Sequence, residues 1–164
     1  MIACYPGTFD PITNGHLDVI ERASRMFEKV IVLIMHNPRK KCTFSETERK
    51  EMIEKSLELL EHHDNIRVEI GSGLTVNYAR KIGAGVILRG IRAVTDYEYE
   101  LQQATANMTL DGEIETMFFI AKPEYSFLSS STVKEIALND GDISPFIPSV
   151  IVRRVEDALT GKNL

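Results

Sequence analysis

The sequence has few cysteines and no long apolar runs. Cys4 and Cys42 are its two cysteines, too few for a disulfide framework, and they have no metal-ligand spacing. No apolar run approaches the roughly 20 residues that a membrane-spanning helix needs. The amino-terminal residues also lack the basic start and long apolar stretch of a signal peptide. These absences predict a cytoplasmic protein with reduced thiols and no membrane association.

An excess of positive charge is also absent. The formal net charge is −5 at pH 7, whereas a general nucleic-acid binder usually has a basic surface. We therefore expect no nucleic-acid partner. Basic clusters still occur at Arg39–Lys41 and at Arg89 with Arg92. Because local clusters matter more than total charge, a small anionic substrate remains compatible with this composition.

Two common nucleotide-binding motifs are missing. The sequence contains no G-x-x-x-x-G-K-[ST], which excludes a P-loop kinase. Gly71-Ser72-Gly73 follows a predicted strand, but Val76 stands where the dinucleotide-binding fingerprint requires its third glycine. We interpret this segment as a plain strand-to-helix turn.

Short apolar runs alternate with segments of helical periodicity. The predicted strands are Ile2–Tyr5, Val30–His36, Ile66–Ile70, Val86–Arg89 and Thr116–Ala121. Six helices are predicted, three of them over residues 15–27, 74–83 and 148–160. Another begins after a capping box formed by Ser45 and Glu48, and another begins near Ser130. The remaining helix has Asp96 as its N-cap and an apolar stripe of Tyr97, Leu101, Ala104 and Met108. This order predicts an α/β fold, a single domain over residues 1–164: a Rossmann-like, doubly wound, five-stranded parallel sheet with flanking helices. Ligands of such sheets bind beyond the carboxyl ends of the strands.

The first candidate motif, Gly7-Thr8-Phe9-Asp10-Pro11 followed by Thr13-Asn14-Gly15-His16, joins the first strand to the first helix. Unpaired N–H groups at a helix start and the helix dipole attract phosphate. We expect Gly7 and Gly15 to let the backbone approach a ligand closely. His16, in the first turn of that helix, is the candidate catalytic group, although a lone histidine is more often structural.

Two further motifs follow the fourth and fifth strands. Arg89 and Arg92 can fork onto phosphates, or they can form salt bridges with the nearby acidic residues Asp96, Glu98 and Glu100. The segment Tyr125–Thr132 offers hydroxyls and amides that can hold an anion or simply cap a helix. All three motifs are predicted to lie at one edge of one sheet, which favours a shared phosphate site.

These motifs together resemble the bacterial phosphopantetheine adenylyltransferases of the nucleotidyltransferase superfamily. The resemblance rests on G-T-F-D-P with T-N-G-H, R-G-I-R-A-V-T-D-Y-E-Y-E, and Y-S-F-L-S-S-S-T-V-K-E, and it covers essentially the whole chain. Thr13 replaces the first histidine of the superfamily's H-x-G-H, as is typical of this family. Lys134 stands near the place of the superfamily's terminal arginine, and its role is left open.

The resemblance implies transfer of the adenylyl group of ATP to 4′-phosphopantetheine, giving dephospho-CoA and pyrophosphate, with Mg²⁺ as cofactor and no protein metal site. It implies His16, Lys40 and Arg92 as catalytic residues, and acceptor contacts from Thr8, Lys40, Thr75 and Arg89. The implied ATP contacts are Thr8, Phe9, His16, Gly90, Ile91, Arg92, Glu100, Tyr125, Ser126, Phe127, Leu128, Ser129, Ser130 and Ser131. It further implies feedback binding of coenzyme A and a homohexamer.

Two alternatives remain open from the residues. The chain could be a cytidylyltransferase or a nicotinate mononucleotide adenylyltransferase of the same superfamily, although the R-G-I-R-A-V and T-N-G-H forms argue against both. It could also be a nucleotide sensor without catalytic activity, against which His16 and the basic acceptor-side residues argue.

Overall fold

The fold follows from alternating strands and helices, as given by a computed structural model that describes residues 1–36 and 41–161. The strands are β1 (Ile2–Gly7), β2 (Lys29–Met35), β3 (Ile66–Gly71), β4 (Ala84–Ile91) and β5 (Glu115–Ile120). The helices are α1 (Asn14–Ser24), α2 (Glu46–Leu57), α3 (Thr75–Lys81), α4 (Val94–Leu110), α5 (Ser130–Leu138) and α6 (Val152–Thr160), with 3₁₀ turns at Pro123–Tyr125 and Ser149–Ile151.

The five strands form one parallel sheet in the order β3-β2-β1-β4-β5. The chain builds outward from β1 to β3 and then crosses to the other side of β1 for β4 and β5. The loops that follow β1 and β4 therefore diverge at the switch point and leave a crevice between them. The predicted doubly wound α/β fold is confirmed, and each predicted strand is present within two residues of its predicted ends.

Both faces of the sheet are covered, because successive side chains of a strand point to opposite faces. On one face Tyr5, Val32 and Leu88 pack in the larger core, which also contains side chains of α1, α2, α5 and α6. On the other face Cys4, Leu33 and Ile87 pack against α3. Both faces of the central strands are therefore apolar, as expected for a parallel sheet between helices.

Helix ends show where the sequence patterns hold. The Ser45/Glu48 capping box is confirmed: the Ser45 hydroxyl accepts from the Glu48 N–H at 3.2 Å, and the Ser45 N–H donates to the Glu48 carboxylate at 2.9 Å. Gly83, just beyond α3, has the left-handed φ of +70° expected of a helix terminator. None of the helices in the described ranges is long and apolar enough to cross a membrane.

The start of α4 differs from its prediction. Its N-cap is Ala93, so the prediction of Asp96 as N-cap is wrong. The Asp96 carboxylate instead accepts from the Arg92 guanidinium at 2.8 Å, because an arginine four residues away offers a charged partner. The apolar stripe of α4 is not in the core either: Tyr97, Leu101 and Met108 are exposed, while Glu100 is buried against the sheet.

Candidate active site

A cavity of about 680 Å³ lies beyond the carboxyl ends of the central strands. Its walls come from the loops after β1, β4 and β5, the first turns of α1 and α5, and one side of α4. Most of the predicted site residues line it, namely Thr8, Phe9, His16, Thr75, Arg89, Gly90, Arg92, Glu100, Tyr125, Leu128, Ser129, Ser130 and Ser131. The topology thus brings together residues more than 100 positions apart in the chain.

His16 is held by the residue that caps its own helix. Thr13 is the N-cap of α1, and its hydroxyl accepts from the His16 N–H at 3.3 Å. In return the Thr13 N–H donates to Nδ1 of the His16 ring at 3.1 Å. Histidine here takes the place of the usual Glu or Gln of a capping box. Because Nδ1 is the acceptor, the neutral ring carries its proton on Nε2.

The surroundings of the His16 ring keep it neutral. Desolvation by burial, followed by the positive charges of Arg92 and Arg89, lowers the pKa of His16 to about 4. The Phe9 ring lies edge-on to the imidazole with ring centroids 5.1 Å apart. At neutral pH the site therefore contains an uncharged imidazole whose Nε2–H is an available hydrogen-bond donor beside two arginines.

The glycines of the first motif make room for side chains. A Cβ on Gly7 would lie 2.7 Å from the Phe9 ring, and one on Gly15 would lie 3.4 Å from Cβ of Tyr125. A side chain at position 7 would collide with the Phe9 ring, whereas one at position 15 would only touch Tyr125. That both glycines admit a ligand to the backbone stays a prediction. Phe9 itself has a φ of +50°, rare for a residue with a side chain, and is buried beside His16. The strained loop thus packs the ring that shields the imidazole.

Arg89 and Glu100 form a forked ion pair across the cavity wall. Nη2 and Nε of Arg89 donate to the two carboxylate oxygens of Glu100 at 2.6 and 2.5 Å, and Nη1 donates to the Pro6 carbonyl at 3.0 Å. Burial alone would lower the pKa of Arg89, but the bonds to Glu100 and its charge raise it. The guanidinium is thus fixed as a permanent positive charge at the end of β4.

Arg92 links the starts of two helices. Its Nη1 donates to the Leu128 carbonyl at 2.7 Å, and its Nε and Nη2 donate to Asp96 at 2.8 and 3.0 Å. Of the three acidic residues that the sequence offered as partners, Asp96 and Glu100 therefore pair with the two arginines. They orient the guanidinium groups without removing them from the cavity wall.

The serine-rich segment divides its hydroxyls between structure and cavity. Ser129 is the N-cap of α5 and accepts from the Thr132 N–H at 3.0 Å. The Ser130 hydroxyl donates to the Pro11 carbonyl at 2.7 Å, which ties α5 to the first motif. Ser131, in the first turn of α5, is exposed and lines the cavity. Tyr125 lies opposite, against Gly15.

Four predicted residues are not placed in the cavity wall. Ile91 is buried at the end of β4, the Ser126 hydroxyl donates to the Pro123 carbonyl at 2.8 Å, and Phe127 packs edge-on against Phe146. None of these three is among the residues that line the cavity. Lys40 lies outside the described residues. The roles of all four remain predictions.

The cavity also contains residues to which the sequence analysis assigned no role in the site. Asp10 and Lys134 lie in its wall and form an ion pair at 2.8 Å. Lys41 and Cys42 follow directly on Lys40, and α4 adds Tyr99, Gln103 and Asn107. Tyr99, Gln103 and Asn107 follow one another at four-residue intervals, which places them on one face of a helix. That spacing is the sequence signal that could have indicated them as cavity residues. Nothing local in the sequence pairs Asp10 with Lys134, which are 124 residues apart.

The described residues do not form a metal site of their own. No group of three or more His, Cys, Asp or Glu side chains in residues 1–36 and 41–161 is arranged to hold a metal ion. The cavity carboxylates Asp10 and Glu100 are each paired with a cation.

Comparison with known proteins first defines the class. A family model described as cytidylyltransferase-like matches residues 4–136. Among solved structures, nicotinic acid mononucleotide adenylyltransferase of Plasmodium falciparum, complexed with NaAD, superposes with a TM-score of 0.70 at 15% identity, covering 99% of this chain and 96% of that one. At that identity the likeness shows the fold alone, and the fold is that of nucleotidyltransferases.

Sequence relatives narrow the class. The phosphopantetheine adenylyltransferase of Thermotoga neapolitana is 48% identical over 159 residues, 97% of either chain. The enzyme of that name from Gloeobacter violaceus is 49% identical over 164 residues, 100% of both chains. The chain belongs to the cytidylyltransferase-like family and, within it, to the phosphopantetheine adenylyltransferases.

Proposed function

We propose that this protein transfers the adenylyl group of ATP to 4′-phosphopantetheine, giving dephospho-CoA and pyrophosphate. An oxygen of the acceptor phosphate attacks the α-phosphate of ATP in line with the departing pyrophosphate. The acceptor phosphate is already an anionic nucleophile, so neither a covalent intermediate nor an activating base is required. Full-length relatives that carry this enzyme's name support the choice of substrates.

The neutral imidazole of His16 is the observation that carries the proposal. Negative charge develops on the oxygens of the α-phosphate during attack, and a preoriented donor in a desolvated site stabilises that charge most in the transition state. The capping contact with Thr13 leaves Nε2–H as the donor and fixes the ring. Positioning and electrostatics then supply the catalysis, as in phosphoryl transfer generally.

The remaining predicted residues divide between the two substrates. We assign the acceptor to Thr8, Thr75, Arg89 and Lys40, and the nucleotide phosphates to Arg92 and the start of α5. Arg89 supports this division because its planar fork, fixed by Glu100, lies at the end of β4 where a phosphate oxygen can approach its outer face. Arg92 would act as a third catalytic residue together with His16 and Lys40.

In this proposal Mg²⁺ would be brought into the site bound to the phosphates of ATP. It would neutralise part of the charge on the triphosphate. Because the cavity carboxylates are paired with Arg89 and Lys134, the chain's own contribution is positive charge and N–H donors rather than metal ligands.

A direct assay tests the function. Purified protein is incubated with ATP and 4′-phosphopantetheine, and pyrophosphate release and dephospho-CoA are measured. CTP replaces ATP in one control, and glycerol 3-phosphate or nicotinate mononucleotide replaces the acceptor in the others. We expect activity with the first pair alone. Efficient cytidylyl transfer to glycerol phosphate would contradict the proposal, and binding of ATP without any turnover would favour a sensor.

Three further properties belong to the same proposal: feedback binding of coenzyme A, a cytoplasmic location and assembly as a homohexamer. Coenzyme A contains the pantetheine arm of the acceptor and would compete for the same cavity, which inhibition measured against varied 4′-phosphopantetheine would test. The exposed apolar side chains of α4 and of the edge strand β5, among them Leu101, Met108 and Ile120, support assembly.

A further inference from the structure

Asp10 is a buried carboxylate that contacts two distant parts of the chain. It is 4% exposed. Its oxygens accept from the N–H groups of Thr43 and Phe44 at 2.9 and 3.0 Å. One of them also accepts from the Lys134 ammonium at 2.8 Å. A single side chain of the first motif thus holds both the segment before α2 and a lysine of α5.

A second buried group reinforces one of these links. The Arg49 guanidinium, from α2, donates to the Thr8 carbonyl at 2.7 Å and to the Phe44 carbonyl at 3.1 Å. The loop that contains Thr8, Phe9 and Asp10 is therefore joined to residues 41–45 by both a carboxylate and a guanidinium. Lys134 contacts the same loop through its ion pair with Asp10.

The linked residues surround the cavity. Asp10, Lys134, Lys41 and Cys42 all line it. Residues 41–45 follow directly on Lys40, on the side we assign to the acceptor, whereas Lys134 belongs to the helix whose first turn we assign to the nucleotide. Asp10 lies between the two sides.

We propose that Asp10 is a positioning residue that fixes the 41–45 segment and Lys134 relative to each other, so that acceptor and nucleotide are held in one geometry. This inference rests on the proposed function. All three partners of Asp10 are donors, so the position requires a group that only accepts. Burial would raise the pKa of Asp10, but the bonds from Lys134, Thr43 and Phe44 outweigh it and keep the carboxyl ionised.

The test compares two buried aspartates. Asp10→Asn keeps the shape but turns an N–H₂ group toward a donor, whichever way the amide lies. Asp18→Asn is the matched control: Asp18 is 6% exposed and pairs with Lys122 at 2.6 Å and Arg22 at 3.1 Å, but does not line the cavity. Both variants lose a buried charged pair, so both should lower the melting temperature.

We expect only Asp10→Asn to change the kinetics of the folded enzyme. Its kcat/KM should fall by about 10- to 100-fold for both ATP and 4′-phosphopantetheine, the range for loss of charge-assisted hydrogen bonds. The kcat/KM of Asp18→Asn should remain within about twofold of the wild-type value, because Asp18 lies outside the cavity. Equal kcat/KM in the two variants, or an effect of Asp10→Asn on one substrate alone, would overturn the inference.

Lys134→Met provides a second readout, which also serves if Asp10→Asn does not fold. It leaves the bonds to Thr43 and Phe44 available and removes the cation alone. We expect the KM for the acceptor to rise although Lys134 belongs to α5. The Asp10→Asn, Lys134→Met double variant should be no worse than the more impaired single variant, because the two act as one unit. An effect confined to ATP, or losses that add, would overturn the coupling.

The wild-type protein separates this inference from the proposed function. If the wild type makes no dephospho-CoA, the proposed function has failed. The inference about Asp10 is then tested by calorimetric titration of ATP into the wild type, Asp10→Asn and Asp18→Asn. Only Asp10→Asn should bind ATP more weakly than the wild type. If the wild type is active and the variants behave alike, the inference alone has failed.

Discussion

At the scale of single residues, the site depends on one capping interaction. The Thr13 N–H, which would be unpaired at the start of α1, is satisfied by Nδ1 of His16 and in this way fixes which ring nitrogen carries the proton. The structural role that is observed and the catalytic role that we propose therefore belong to the same side chain. For His16, a structural role therefore does not argue against a catalytic one.

Replacement of His16 should affect the chemical step more than binding. In His16→Ala the donor that we propose for the α-phosphate is lost, and loss of one such donor typically lowers kcat by about 10²- to 10³-fold. ATP affinity, measured by calorimetry, should change little, because the contact is made mainly in the transition state. His62→Ala, in an exposed turn, is the control. Near-normal kcat in His16→Ala would exclude this residue from the mechanism.

The low pKa of His16 has a consequence for stability. The native ring takes up a proton only near pH 4, whereas the unfolded ring does so near its ordinary pKa of 6.5. The unfolded state therefore binds more protons between these values, and the native state loses stability as the pH falls from 6.5 to 4. In urea titrations, wild type should lose more unfolding free energy over this range than His16→Gln. Parallel losses in the two proteins would contradict the assignment.

Arg89 can be tested without leaving Glu100 unpaired. Because Arg89→Lys retains the positive charge, the buried Glu100 carboxylate keeps a partner, but the planar fork of the guanidinium is lost. We expect the KM for 4′-phosphopantetheine to rise about tenfold while the KM for ATP changes less. Arg80→Lys, in the Arg80–Asp111 pair outside the cavity, is the control. A rise in the ATP KM alone would assign Arg89 to the other substrate.

At the scale of elements, the sequence determines most of the strands and many helix ends. Apolar runs such as Val30–Ile34 are buried on both faces, so their strands are readable without long-range information. The Ser45/Glu48 box is equally local. The α4 helix was predicted less well: its acidic residues Asp96 and Glu100 pair with arginines from the preceding loop and strand, which turns its apolar stripe outward. The sequence suggested these pairs, but the apolar spacing alone did not predict which face of α4 they would turn toward the sheet.

The same limit applies to the site. The three motifs could be assigned to one sheet edge because parallel strands end there together. The Asp10–Lys134 pair and the Ser130–Pro11 hydrogen bond could not, since they join segments that no periodicity connects. The sequence indicated that this segment can cap a helix, but not that Ser129 is the cap while the Ser130 hydroxyl donates to the Pro11 carbonyl.

The first turn of α5 allows a charge test at Ser131. This residue is exposed, so an aspartate there fits, and a negative charge near a helix start is neutral or mildly stabilising. If the turn binds ATP phosphates, Ser131→Asp should weaken ATP binding at least about tenfold through repulsion, without loss of thermal stability. Ser131→Asn, uncharged and of similar size, should be much milder. Unchanged ATP affinity in a folded Ser131→Asp protein would leave this turn a structural element.

At the scale of the whole molecule, one cavity collects residues from both ends of the chain. The first motif comes from residues 7–16 and the last begins at Tyr125, and the Ser130 hydroxyl connects them through the Pro11 carbonyl. Arg92 connects the last motif to the end of β4 through the Leu128 carbonyl. The shape of the cavity therefore depends on contacts between segments that are distant in the chain. A family resemblance that extends over the full length fits a site of this kind.

The exposed apolar face of α4 leads to a prediction about assembly. Native mass spectrometry of the wild type should give six times the 18.5 kDa mass of one chain. Met108 is 56% exposed on α4 and Leu59 is 49% exposed after α2, near the other edge of the sheet. Met108→Glu places a charge in the proposed interface, where its burial is costly, and should dissociate the hexamer; Leu59→Glu should not. A monomeric wild type would refute the hexamer, and dissociation by Leu59→Glu alone would move the interface to the opposite edge.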